Sequence, residues 1–268
     1  MRIHLLTSDT SVFALTTALA ADDTITAVII PQNRASSEKV SAVRDACLNR
    51  SLPIFEHPRG GFLPTNMPPA DTAISWLYSQ IIKVEDLTRY GDGMLNMHGG
   101  RIPEYRGASV LQWQIINGET ELGITWHEIM EEVDAGPIWA ESTIPIPEHA
   151  DAAAMRQAMI NEAIEVFPEA WRNARSRSNK QRLPDLSKGQ IWPSRRPKDG
   201  TLRPNMTEKK IRDLVRALCP PWPPARIKHQ DQWFNIIRVS NKGDHNHIAY
   251  NTAEGTTIYL QVTPLNQS

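Results

Sequence analysis

The sequence predicts an α/β protein: a Rossmann-like, mostly parallel sheet flanked by helices, with a small β-rich domain at its carboxyl end. Three observations predict it. Short apolar runs rich in β-branched residues, such as 24–31 (TITAVIIP), alternate with stretches at helical spacing as far as residue 177. Composition then shifts over Ser176–Asn205 to Pro, Ser, Lys and Arg. Beyond that come four short runs of strand-forming residues separated by turn residues. The predicted boundaries are 1–178 for the α/β domain, 179–205 for a linker and 206–268 for the small β-domain.

Residues 2–7 (RIHLLT) and 24–31 read as buried strands, with a helix over Ser11–Ala20 between them, capped by Thr10 or Ser11. Residues 36–50 have amphipathic helical spacing and start at Ser36 or Ser37. Leu52–Phe55, Ala70–Tyr78 and Gly93–His98 read as the third, fourth and fifth strands. A helix over Ser109–Asn117 is closed by Gly118. Strands over Glu121–Glu128 and Ile138–Ile146 flank a loop, Asp134-Ala135-Gly136-Pro137, and a long helix over 151–177 is kinked or interrupted at Pro168. Thr207 caps a helix ending at Leu218, and Pro220-Pro221-Trp222-Pro223-Pro224 forces extended backbone before the runs 225–229, 232–240, 246–251 and 256–262.

Composition bounds the function class. A hydrophobic fraction of 40% and a charged fraction of 22% are ordinary for a folded soluble protein. No apolar run approaches the roughly 18 residues a membrane span needs, and Met1–Leu6 is too short an apolar block for a secretory signal. Cys47 and Cys219 lack a CxxC partner, so a reduced, cytoplasmic chain without membrane association is expected. Charge is unevenly spread: 11 Lys+Arg against 23 Asp+Glu over 1–170, but 14 against 4 over 171–216. Such a basic connector could contact tRNA or phosphates. Its sparse aromatics favour a solvated helix end and linker lying against an acidic domain.

After the first strand comes Thr7-Ser8-Asp9-Thr10, which has neither GxGxxG nor a Walker-type loop; the common dinucleotide and P-loop readings fail. In an open α/β sheet the site lies at the carboxyl ends of the strands. Asn96 and His98 stand there on the fifth strand, and a period of two puts both side chains on one face. Asn96 could donate a hydrogen bond to a developing oxyanion, and His98 could handle a proton. Asp134 is too distant in sequence to join them unless the fold returns it. His127 is read as structural, its strand phase being open. His4, His57, His149, His229, His245 and His247 have no metal-like spacing with carboxylates or cysteines, and no metal is expected.

On these residues the sequence resembles the N10-formyltetrahydrofolate-dependent formyltransferases. The resemblance is carried by Asn96-Met97-His98-Gly99, Pro103-Glu104-Tyr105-Arg106-Gly107, Ile116-Asn117-Gly118-Glu119, Gly123-Ile124-Thr125 and Asp134-Ala135-Gly136, in order. It implies a catalytic trio of Asn96, His98 and Asp134. The Asn and His would stabilise an oxyanion and move a proton, while the Asp would orient the imidazole and relay. It also implies a formylated folate co-substrate, N10-formyltetrahydrofolate. Gln80, Ile81, Ile82 and the segment Met130, Glu131, Glu132, Val133 and Asp134 would surround its pterin, with one of Ile81 and Ile82 expected in the core.

Three acceptors compete within that resemblance. Glycinamide ribonucleotide formylation is set aside by the extra carboxyl-terminal module. Methionyl-tRNA is the runner-up: its branch carries Ser-Leu-Leu after the His, where this chain has Gly99-Gly100-Arg101-Ile102. The preferred resemblance is to the enzymes that formylate nucleotide-linked amino sugars for surface polysaccharide such as O-antigen. It makes Arg101, Tyr105, Arg106 and Trp113 candidates for acceptor contacts, although Trp113 equally suits a helix core and Arg106 a loop brace. A relative that binds folate or nucleic acid without turnover is the non-enzymatic alternative. The edges of the small β-domain could pair two copies in a homodimer.

Overall fold

The computed structural model describes residues 1–177, 181–244 and 247–265, so His245 lies outside the described residues. Strands run β1 (Arg2–Thr7), β2 (Thr24–Pro31), β3 (Ile54–His57), β4 (Thr72–Trp76), β5 (Met94–His98), β6 (Tyr105–Gly107), β7 (Glu121–Glu128), β8 (Ile138–Pro145), β9 (Gln190–Trp192), β10 (Ala225–His229), β11 (Gln232–Ser240), β12 (His247–Asn251) and β13 (Thr257–Pro264). The helices are α1 (Glu38–Leu48), α2 (Val84–Leu87), α3 (Val110–Ile116), α4 (Ala152–Arg175) and α5 (Glu208–Ala217).

Seven strands form one mixed sheet in the order β3-β2-β1-β4-β5-β7-β8. Neighbours from β3 to β5 pair in parallel, and β7 runs antiparallel to β5. Chain order reverses between β1 and β4, which makes their carboxyl ends the switch point where such sheets open a crevice. The central strands are near-continuously apolar, as expected for a sheet covered on both faces; β4, for example, is buried at every position. Trp76, on β4, stacks on Trp126, on β7, at a centroid distance of 5.7 Å. Trp126 in turn meets Phe167 of α4 at 5.1 Å and donates its indole N–H to the Ala163 carbonyl at 3.0 Å. This links the sheet to a helix that continues unbroken through Pro168.

Two local expectations change. The helix expected over Ser11–Ala20 is a 3-10 helix over Thr10–Ala18, capped by Asp9, whose carboxylate accepts from the Ser11 N–H. Thr16 and Thr17 return their hydroxyls to Phe13 and Ala14, three residues back, in competition with α-helical pairing. The basic stretch also contains short structure of its own: 3-10 turns at Leu186–Lys188 and Pro197–Gly200, and β9, which forms a two-stranded ribbon with β6.

The chain divides into two compact units. One comprises Met1–Arg106, Gly123–Ser142 and Ile160–Gln190; the other comprises Gly107–Leu122, Thr143–Met159 and Ile191–Ser268. The second unit holds a four-stranded antiparallel sheet, β10-β11-β13-β12, and α5. Thr207 caps that helix by accepting from Lys210, and its buried face carries Ile211 and Leu214. Among the described residues, no helix is long and apolar enough to cross a membrane.

Candidate functional site

The antiparallel register of β5 and β7 sets Asn96 opposite His127 and His98 opposite Thr125. Directly opposed residues share a sheet face, so Asn96, His98, Thr125 and His127 project to the same side. The Asn96 amide Nδ2 lies 3.0 Å from His127 Nε2. The Thr125 hydroxyl donates to the Gly100 carbonyl at 2.8 Å and holds the chain as it leaves β5.

Asp134 returns to this face from the β7–β8 loop. Its Oδ2 is 3.5 Å from His98 Nδ1 and its Oδ1 is 3.3 Å from His127 Nε2. Asp134 has a left-handed backbone, with φ of 48°, a conformation Asp tolerates better than most residues. The loop depends on Gly136, where an added Cβ would stand 2.0 Å from the Glu128 carbonyl oxygen. Arg106 is buried and donates to the Glu132 carboxylate at 2.8 Å, which pins the same loop from β6.

Both histidines are buried. His98 Nε2 lies 2.5 Å from the Tyr105 carbonyl and His127 Nδ1 lies 2.9 Å from that of Glu128. A carbonyl oxygen only accepts, so each of these nitrogens carries a hydrogen. The opposite nitrogen of each ring therefore faces the carboxylate of Asp134. Burial holds the His98 imidazole below its ordinary value, opposed by the Asp134 carboxylate, while His127 adds to the lowering. At neutral pH His98 is thus a neutral base in a dry setting. His127 belongs to this cluster, although it reads as structural in the sequence: its phase is fixed only by the β5–β7 register.

The remaining predicted residues fall into separate groups. Gln80 donates to the His57 carbonyl at 2.7 Å, and its side-chain oxygen is buried without a partner among the described residues. Ile82 packs on the cluster around Leu6, Met67 and Met94, as does Ile129, which leads into the Asp134 loop. Ile81, Met130 and Val133 are instead 81%, 50% and 42% exposed, unusual values for large apolar side chains. Glu131 and Glu132 are exposed. Tyr105 is buried and offers its carbonyl to His98, and the Arg101 backbone lies against Gly123. Trp113 belongs to the second unit; it donates to the Pro193 carbonyl at 2.9 Å and meets Trp192 at 5.2 Å. Among the described residues, no group of three or more His, Cys, Asp or Glu side chains is arranged to hold a metal ion.

Residues 65–171 match the family model described as formyl transferase. Over 211 residues the chain is 28% identical to the bifunctional polymyxin resistance protein ArnA of Wigglesworthia glossinidia brevipalpis, covering 71% of this chain and 30% of that protein. The chain thus spans about a third of the length of that curated relative. Among solved structures, the N-formyltransferase of Helicobacter canadensis, in complex with folinic acid and dTDP-3-aminofucose, superposes with a TM-score of 0.74 at 16% identity over 97% of this chain and 99% of that one. WlaRD, a sugar 3N-formyl transferase determined with dTDP and 5-N-formyl-THF, does so with a TM-score of 0.72 at 18% identity over 100% and 99%. These likenesses show the α/β sheet with its carboxyl-terminal antiparallel sheet to be the fold of those enzymes.

Proposed function

We infer that this chain, whose residues 65–171 match the formyl transferase family model, moves a formyl group from N10-formyltetrahydrofolate to the amino group of a nucleotide-linked amino sugar. The observation that carries the reading is the quartet formed at the carboxyl end of β5 by the buried rings of His98 and His127 with the partly exposed Asn96 and Asp134. One solved neighbour is named a sugar 3N-formyl transferase and was determined with dTDP and 5-N-formyl-THF, and another, named an N-formyltransferase, was determined with folinic acid and dTDP-3-aminofucose, which supports both substrates. A donor of that kind suits the residues present. A pterin edge matches an orphaned Gln80 oxygen and the backbone of the 130–134 loop, and its rings match exposed apolar side chains such as Met130 and Val133.

In this reading Asn96 donates its amide hydrogen to the formyl oxygen as negative charge develops there. His98, neutral and desolvated, faces Asp134 through Nδ1, and the two take up the proton the attacking amine releases. They return it to the departing folate nitrogen, so the new carbon–nitrogen bond forms and the old one breaks with no change of oxidation state. Arg106 holds the loop that presents Asp134; it is a brace for the site in preference to an acceptor contact. Product for surface polysaccharide such as O-antigen, made in the cytoplasm by a homodimer, is the corresponding biological setting.

The experiment is direct. The purified chain is incubated with N10-formyltetrahydrofolate and either dTDP- and UDP-linked amino sugars or methionyl-tRNA, and formylated products are read by mass spectrometry. Transfer to an amino sugar, abolished in His98→Ala, is expected. Transfer to tRNA alone would move the chain to the runner-up branch, which the basic 171–216 stretch would suit. Folate binding without transfer to any acceptor would leave the non-enzymatic alternative.

A further inference from the structure

We propose that His127 is a working member of the site: with His98 it shares, through Asp134, the one proton that the attacking amine gives up, and it thereby controls the Asn96 amide. This deepens the formyl-transfer reading and rests on it for its catalytic consequence, but its geometry stands independently.

The two rings are arranged as mirror cases. Each has one nitrogen committed to a backbone carbonyl, Nε2 of His98 to Tyr105 and Nδ1 of His127 to Glu128. Each then turns its other nitrogen toward a different oxygen of the same carboxylate, at 3.5 Å and 3.3 Å. If both rings were neutral and Asp134 ionised, both approaches would set the lone pair of a buried ring against a carboxylate oxygen, with no hydrogen between them. One added proton turns either approach into a charge-assisted hydrogen bond. Asp134 therefore bridges two alternative positions for the one proton taken up during transfer.

The Asn96 amide distinguishes them. With His127 neutral, Nε2 accepts the Asn96 amide hydrogen at 3.0 Å. With the proton on His127, Nε2–H turns to Asp134 Oδ1, and Asn96 loses that acceptor. Its amide is then released toward the formyl oxygen when the amine has given up its proton and negative charge has formed. One proton enters from the amine and one leaves to the folate nitrogen, so the cluster ends as it began. His127 touches no reacting atom in this scheme; it is a positioning residue acting through Asn96 and Asp134. The other ionisable groups nearby are committed elsewhere: Glu128 to Arg177, and Glu132 to Arg106.

The test has a spectroscopic arm that needs no substrate. In the full chain labelled with 15N-histidine, the neutral rings should be of opposite tautomer, Nε2–H for His98 and Nδ1–H for His127. A single protonation event should move the signals of both, and Asp134→Asn should uncouple them. Identical tautomers, or two independent events in the wild type, would overturn the proposal. In the kinetic arm, His127→Gln should lower kcat roughly 10- to 100-fold and change its pH profile, with KM within about twofold; an unchanged profile and kcat would also overturn it. Wild-type protein that formylates nothing would sink the functional reading while leaving the tautomer result to stand or fall alone.

Discussion

Arg106 and Glu132, 26 residues apart in the chain, are joined at 2.8 Å, and the guanidinium of that pair is buried while the carboxylate is 55% exposed. The same guanidinium reaches the Val133 carbonyl at 3.4 Å, so it grips the turn immediately before Asp134. Its Nε is buried without a partner among the described residues. The asymmetry separates two effects. Glu132→Gln removes charge at a solvent-facing position, where screening leaves little for stability, and should lower kcat several-fold with Tm unchanged within experimental scatter. Arg106→Ala empties a buried position and should cost roughly 1–3 kcal/mol in urea unfolding as well as activity. A Glu132→Gln protein with full kcat would show that the loop holds itself.

Asp134 permits charge and backbone to be tested separately. Asn tolerates the left-handed region about as well as Asp, so Asp134→Asn should keep the fold and lose roughly 10²- to 10⁴-fold in kcat. Asp134→Ala should lose the same activity and, at φ of 48°, a further ~1 kcal/mol of stability. Equal thermal stability for the two variants would remove backbone strain from the account.

Gly136 and Gly100 sit where the chain leaves no room for a Cβ. At Gly136 the obstruction is the Glu128 carbonyl at 2.0 Å; at Gly100 it is the Tyr105 carbonyl at 2.5 Å, with His98 Nε2 at 2.8 Å. Neither backbone oxygen can rotate away as a side-chain end would. Gly136→Ala should therefore destabilise by about 1–3 kcal/mol and displace Asp134, and Gly100→Ala should disturb the ring of His98. Activity and denaturant midpoints of both variants check this; a Gly100→Ala enzyme with normal kcat would mean that the His98 ring tolerates a shift.

Much of this site is legible in the sequence because it rests on local rules. A period of two is enough to put Asn96 beside His98, and the missing phosphate-loop glycines after β1 are read directly. The parallel strands show as apolar runs, and Thr207 announces α5 by its position. His127 is different: its place depends on which residue of β7 opposes Asn96, and a one-residue slip in that register would send it to the other face. Nothing within 121–128 decides the register. Ile81 and Ile82 present the same difficulty in miniature, since adjacent identical side chains receive opposite fates, one 81% exposed and one packed on the core. The second unit draws together segments far apart in sequence, 107–122 with 191–268, and no local pattern encodes that grouping.

The buried imidazoles make stability depend on pH in a defined direction. Burial lowers the folded-state value of His4, whose Nε2–H donates to the Pro68 carbonyl at 3.0 Å and whose Nδ1, in the neutral ring, accepts from the Tyr90 hydroxyl at 2.9 Å; burial also lowers that of His98. Free of the fold, both rings would titrate near 6.5. Between each lowered folded value and 6.5 the unfolded chain binds more protons, so stability rises with pH across that window and is lost as pH falls through it. Above about pH 7 the effect is absent, because both states are then neutral at these rings. Tm should accordingly hold between pH 7 and 8 and fall on going to pH 5. His98→Asn and His4→Phe should each show a smaller fall than the wild type, even if His4→Phe starts from a lower Tm through loss of its two hydrogen bonds. Parallel wild-type and variant curves from pH 8 to 5 would show that acid sensitivity resides in other groups, and that these two rings take up protons alike in the folded and unfolded states.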